Sequence, residues 1–152
     1  MALRALAGGK LKVFKEAQVE RIDGKEKLLW RAVVSGERYE PYLKILSPTE
    51  IPELERCTFR GEIVRSNGNL CLLAEDFYWG TGVSVLWTQA KVLKTVERGS
   101  LYLCESSGVK FFFKQVEGIP LQEGSFYLLE GNFSLKRERE FWNLTVEGKP
   151  IE

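Results

Sequence analysis

The stretch best equipped for chemistry is Val109 to Lys114, in which Lys110, Phe112 and Lys114 alternate with Val109, Phe111 and Phe113. On an extended strand, successive side chains point to opposite faces. One face therefore carries a phenylalanine between two lysines, and the other carries three apolar side chains. A ring in that setting can stack a nucleobase while the ammonium groups hold neighbouring phosphates, the usual chemistry of single-strand binding. A second group follows at Lys136, Arg137, Glu138, Arg139 and Glu140, closed by Phe141. Its three cations suit phosphate oxygens, although two glutamates dilute them and a charge run at a hairpin tip also suits plain solvation. In the first half the matching candidates are Lys25 and Lys27, with Arg21, in one loop, and Arg65 beside Asn67-Gly68. Trp30 and Arg31 lie on the strand between these loops, and alternation lets only one of them face outward.

Enzymatic chemistry finds little to work with. The chain has no histidine, which removes the commonest general base, the Ser-His and Cys-His pairs and most zinc sites. Cys57, Cys71 and Cys104 show no metal-ligand spacing, and three cysteines do not make a disulfide framework, so they read as buried thiols. Gly80-Thr81-Gly82 lacks the lysine that a phosphate cradle needs. The expectation is no catalytic residue, no metal and no cofactor. A net charge of +1 over 152 residues gives no overall pull on polyanions, so a nucleic-acid surface has to be a local patch.

The elements that must position these groups read as short strands. From Ser125 to Val146, two alternating runs flank a charged centre; a turn within Lys136 to Phe141 sets Leu135 opposite Trp142, Phe133 opposite Leu144 and Gly131 opposite Val146. Residues 57–76 have the same form around Asn67-Gly68, a favoured two-residue hairpin turn, which sets Ile63 opposite Leu72 and Gly61 opposite Ala74. Phe59 to Ile63 then matches Leu129 to Phe133, and Leu70, Leu72 and Ala74 match Trp142, Leu144 and Val146. Further strands are expected at Leu11–Ile22, Leu28–Val34, Tyr39–Leu46, Val85–Val96, Leu101–Glu105 and Val109–Val116, with turns at Asp23-Gly24, Ser35-Gly36, Gly99 and Ser107-Gly108. Ser47 to Leu54 breaks the pattern with room for a short helical turn.

Five strands, a break between the third and fourth and a closing hairpin, all repeated once, resemble the OB-fold, the small Greek-key barrel of many oligonucleotide-binding proteins. The resemblance covers nearly the whole chain as a strand pattern, and a single β-sandwich would also produce short strands with regular turns. It implies an all-β protein of two tandem five-stranded Greek-key OB-like barrels packed together: a mobile tail at 1–9, a first barrel at 10–77, an aromatic and glycine connector at 78–84, and a second barrel at 85–152. Tyr78 and Trp79 are expected to pack the two barrels together, the other reading being a base-stacking platform at the barrel junction. The resemblance further implies binding of single-stranded DNA or RNA, DNA foremost, in replication, repair or recombination. A protein-interaction module or accessory subunit, with protein partners or a second copy, is the other class. Residues 1–14 lack the apolar core of a signal peptide and no run reaches the length of a membrane span, so the expected setting is cytoplasmic, without a membrane partner.

Overall fold

Alternation of apolar and polar side chains, punctuated by turn residues, resolves into ten strands: β1 (Arg4–Ile22), β2 (Lys25–Gly36), β3 (Tyr39–Ser47), β4 (Arg56–Ser66), β5 (Asn69–Trp79), β6 (Ser84–Glu97), β7 (Leu101–Ser106), β8 (Val109–Gln115), β9 (Phe126–Glu138) and β10 (Phe141–Pro150). The computed structural model describes residues 3–79 and 83–151. The protein is all-β, with no helix among the described residues and none long and apolar enough to cross a membrane. Three expected turns place two consecutive residues at positive φ, at Asp23-Gly24, Asn67-Gly68 and Ser107-Gly108. That is the conformation whose twist matches the flanking strands of a two-residue hairpin.

The strands join in one ten-stranded sheet. In the first half the pairings run β1 to β2, β2 to β3, β3 to β5, β5 to β4 and β4 back to β1, with only the β3–β5 pair parallel. The second half repeats this circuit as β6 to β7, β8, β10 and β9 and back to β6, and its β8–β10 pair is again the parallel one. Two pairings cross between the halves. Arg4 to Ala7 of β1 lie antiparallel to Ser84 to Trp87 of β6, and Tyr39-Glu40 of β3 lie parallel to Leu135-Lys136 of β9.

One large hydrophobic cluster draws on both halves, from Leu3, Ala5 and Phe59 to Phe111, Phe133 and Val146. A smaller one holds Ile22, Leu29, Leu46, Val64 and Cys71. Beside it Glu20, only 2% exposed, accepts hydrogen bonds from Lys44 Nζ at 2.7 Å, Ser66 Oγ at 2.8 Å and Asn67 Nδ2 at 3.0 Å. This buried carboxylate is therefore fully hydrogen-bonded, as burial requires. It ties β1 to β3 and to the β4–β5 turn.

Several expectations change. The tail expected at 1–9 is, from Arg4 on, the opening of β1: Ala5 and Ala7 are buried, and a Cβ at Gly9 would lie 2.3 Å from the Ser35 carbonyl oxygen. Small residues there permit close backbone approach rather than mobility. Ser47 to Leu54 contains no helical turn; the Ser47 hydroxyl accepts from the Thr49 N–H, a local turn that competes with helix. Tyr78 and Trp79 belong to β5 and are exposed, Trp79 to 86%, so they are not buried between the halves. Gly80, Thr81 and Gly82 of the expected connector lie outside the described residues.

The first hairpin register is as expected, with Gly61 opposite Ala74 and Ile63 opposite Leu72. The second is displaced by two residues: Leu135 faces Leu144, Phe133 faces Val146, and Gly131 faces Gly148. Leu70, Leu72 and Ala74 therefore match Leu144, Val146 and Gly148, not Trp142, Leu144 and Val146. Close approach decides this register, since a Cβ at Gly148 would stand 1.8 Å from the Glu130 carbonyl oxygen, and one at Gly131 would stand 2.3 Å from that of Glu147. A shift of two preserves the parity of every side chain.

Candidate nucleic-acid interface

Strand alternation on β8 sends Val109, Phe111 and Phe113 into the core and leaves Lys110 and Lys114 exposed, with Phe112 half-buried between them on the outer face. Leu103 of β7 and Thr145 of β10 flank Phe112 in register. Along the same face, Phe141 opens β10 at 75% exposure. Phe112, Phe141 and Arg139 line one open concavity of about 550 Å³, together with Glu138, Trp142 and Asn143. Arg139 occupies the β9–β10 turn at φ 57°, a conformation that turns the chain sharply.

The charges on this face are more balanced than the sequence spacing implied. Lys110 stands opposite Glu105, and Lys114 lies between Leu101 and Glu147. Lys136 Nζ is 3.9 Å from Glu40 Oε1. Each lysine thus has an anion at the neighbouring register position, of which only Glu40 lies within ion-pair distance, and exposed pairs of this kind are weak enough for a phosphate to compete. Arg137 points to the other face, where its guanidinium lies over the Trp142 ring at 5.6 Å.

Trp142, which the sequence places only as a strand residue, joins the halves: its indole N–H donates to Asn69 Oδ1 at 2.9 Å. The β9–β10 tip of the second half thereby meets the β4–β5 turn of the first. Arg65 leads into that turn, and Glu20 links it to the β1–β2 hairpin, where Lys27 stands opposite Glu20 and Lys25 opposite Ile22. Lys25, Lys27 and Arg65 are all exposed. A tryptophan adjoining a charge run was the available signal, but its partner 73 residues away is visible only in the fold.

Trp30 and Arg31 part company as alternation requires. Trp30 packs against the core. Arg31 faces outward, its guanidinium 5.2 Å from the Phe14 ring centroid, with Lys12 at 5.8 Å. Phe112, Arg139 and Phe141 are therefore gathered at one concavity, with Lys110 and Lys114 on the same face; Trp30 and Arg31 lie apart from it.

Scans against protein-family models, curated proteins and solved structures return no match to this chain. All three cysteines are free and buried. Burial pushes the thiols up, Cys71 to about 11 and Cys104 to about 12, and raises Cys57 as well. They stay protonated at neutral pH, which makes them poor nucleophiles.

Proposed function

We propose that the chain comprises two tandem OB-like barrels and binds single-stranded nucleic acid, DNA foremost, without catalysis, in the cytoplasmic processes of replication, repair or recombination. The tandem reading is supported by two equivalent circuits of strand pairing, each with its parallel pair between the third and fifth strands, and by the matched glycines Gly61 and Gly131. The observation that carries the binding reading is the grouping of two accessible rings, Phe112 and Phe141, around Arg139 in one concavity. Bases stack on the rings while Arg139, Lys110 and Lys114 take the phosphates, an arrangement tolerant of sequence because every base has a π-face. The β4–β5 and β9–β10 tips meet through Asn69 and Trp142, and Arg65 and Lys136 lead into them.

A second reading, a protein-interaction module, is favoured by Glu105 and Glu147 beside the two lysines and by the exposure of Trp79. Fluorescence anisotropy with labelled single-stranded DNA, single-stranded RNA and duplex at two salt concentrations separates the two. The nucleic-acid reading expects single-strand binding that weakens as salt rises. Absence of binding to all three at low salt transfers the function to the interaction module.

A further inference from the structure

Strand β5 is paired with β4 from Asn69 to Trp79 apart from a bulge at Glu75, but β3 covers its opposite edge only at Cys71 to Leu73. From Glu75 to Trp79 that edge has no strand partner among the described residues, and no backbone hydrogen bond outside the β4 ladder reaches it. The cause is local: β3 ends at Ser47, and Pro48 starts a segment with no strand until Arg56. A free edge presents unpaired N–H and C=O groups, the template on which another strand adds. Natural edges are usually blunted by charge, proline or covering. Here Glu75 is held by Arg4 and Asp76 by Arg60, and the remaining three residues are Phe77, Tyr78 and Trp79, all exposed.

Beside this edge lies a groove of about 480 Å³ whose apolar walls include Val13, Phe14, Trp30, Ile51 and Phe77. Its polar lining consists of Glu50, Glu53 and Lys15. Lys15 Nζ approaches Glu53 at 3.6 Å, whereas Glu50 has no ion-pair partner among the described residues. The groove thus carries one unmatched carboxylate. The unmatched carboxylate disfavours a phosphate backbone and favours a segment that brings a cation.

We propose that the Glu75–Trp79 edge and this groove form a docking site for an extended segment of a partner protein, bound by strand addition. The segment has apolar side chains at alternate positions and a lysine or arginine flanking them. Its backbone completes the hydrogen bonds of the β5 edge, its inward apolar side chains enter the groove against Phe77 and Trp30, and its cation meets Glu50. Main-chain pairing supplies affinity, while the pockets for alternate side chains supply selectivity. This site lies on the first half, apart from the Phe112 concavity, and does not depend on the nucleic-acid reading.

The test uses the full chain and a set of labelled eight-residue synthetic peptides alternating valine or phenylalanine with threonine, each in a lysine-flanked and a glutamate-flanked form. Binding is followed by anisotropy, and amide hydrogen exchange is followed at Glu75 to Trp79. The lysine-flanked peptides are expected to bind and to slow exchange at the edge. N-methylation of alternate peptide amides, which removes donors and leaves the side chains, is expected to weaken binding at least tenfold. Trp79→Ala, at a position too exposed to threaten the fold, should weaken it by roughly fivefold or more, as for a central interface aromatic. Glu50→Lys should narrow the preference for the lysine-flanked peptides. The proposal is overturned if no peptide of the set binds the folded protein at millimolar concentration, or if N-methylated peptides bind as well as their parents. It is also overturned if the edge is protected by a concentration-dependent dimer that Trp79→Ala abolishes, or by single-stranded DNA in place of peptide.

Discussion

Replacing Phe112 by alanine separates stacking from charge on the proposed binding face. The ring is half-buried on the outer side of β8, between Leu103 and Thr145, and takes no part in the hydrophobic core, so truncation should leave a folded protein. One base stacked on an aromatic ring contributes roughly 1–3 kcal/mol, which predicts a loss of single-strand affinity of about 5- to 150-fold. Salt dependence works through other residues. If Lys110, Lys114 and Arg139 each hold one phosphate, a fourfold rise in salt weakens binding about twentyfold, from a slope of about 0.7 per contact. Phe112→Ala should keep that ratio. Lys114→Ala should lower it to about sevenfold while removing little affinity at high salt. Glu147→Gln, which removes the anion opposite Lys114, should strengthen binding at low salt. Anisotropy titrations of the four proteins at two salt concentrations measure all of this. Parent-like binding by both folded alanine variants would refute the placement of the site.

Other expectations concern the fold. Glu20→Ala strips Lys44, Ser66 and Asn67 of their shared acceptor; because Lys44 retains some access to water, the loss should fall near 2 kcal/mol, within the cost of unsatisfied buried groups, and chemical denaturation measures it. Gly131→Ala drives a methyl group into the Glu147 carbonyl and should cost about 1–3 kcal/mol, as overpacking does, read in the same assay; a neutral result would mean that β9 and β10 can separate. Trp79→Ala should shift stability by no more than about 0.5 kcal/mol, the usual range for surface changes, and a large drop in melting midpoint would restore a buried role. Stability should also fall at high pH. Burial raises Tyr39 to about 12, Cys71 to about 11 and Cys104 to about 12, so the unfolded chain gives up these protons first. The contribution is complete below about pH 9 and is lost as pH rises towards 12. Tyr39→Phe should flatten the part of this fall above about pH 10, measured by urea titration across the range.

The sequence by itself determined most of the strand positions and the face on which Phe112 lies, because alternation has a period of two and depends on no distant partner. It also determined the β4–β5 register, since Asn67-Gly68 accepts positive φ at both central positions and so specifies a two-residue turn. The β9–β10 tip has no such pair. Its register is decided by the approach of Gly131 to Gly148, and Arg139 takes up the positive φ that this register requires. Residues 4–9 look like a tail in one dimension because their side chains are small. Only the neighbouring β4, β6 and β2 show that smallness is what allows those backbones to meet. Tertiary structure decided part of the electrostatics of the face as well: Glu147 and Glu40 are distant in sequence from Lys114 and Lys136, and strand pairing brings them together, whereas Glu105 meets Lys110 across the local Ser107-Gly108 turn. The exposure of Trp79 has the same origin. An aromatic run is as apolar on a free strand edge as in a core, and its surroundings are set by where β3 stops.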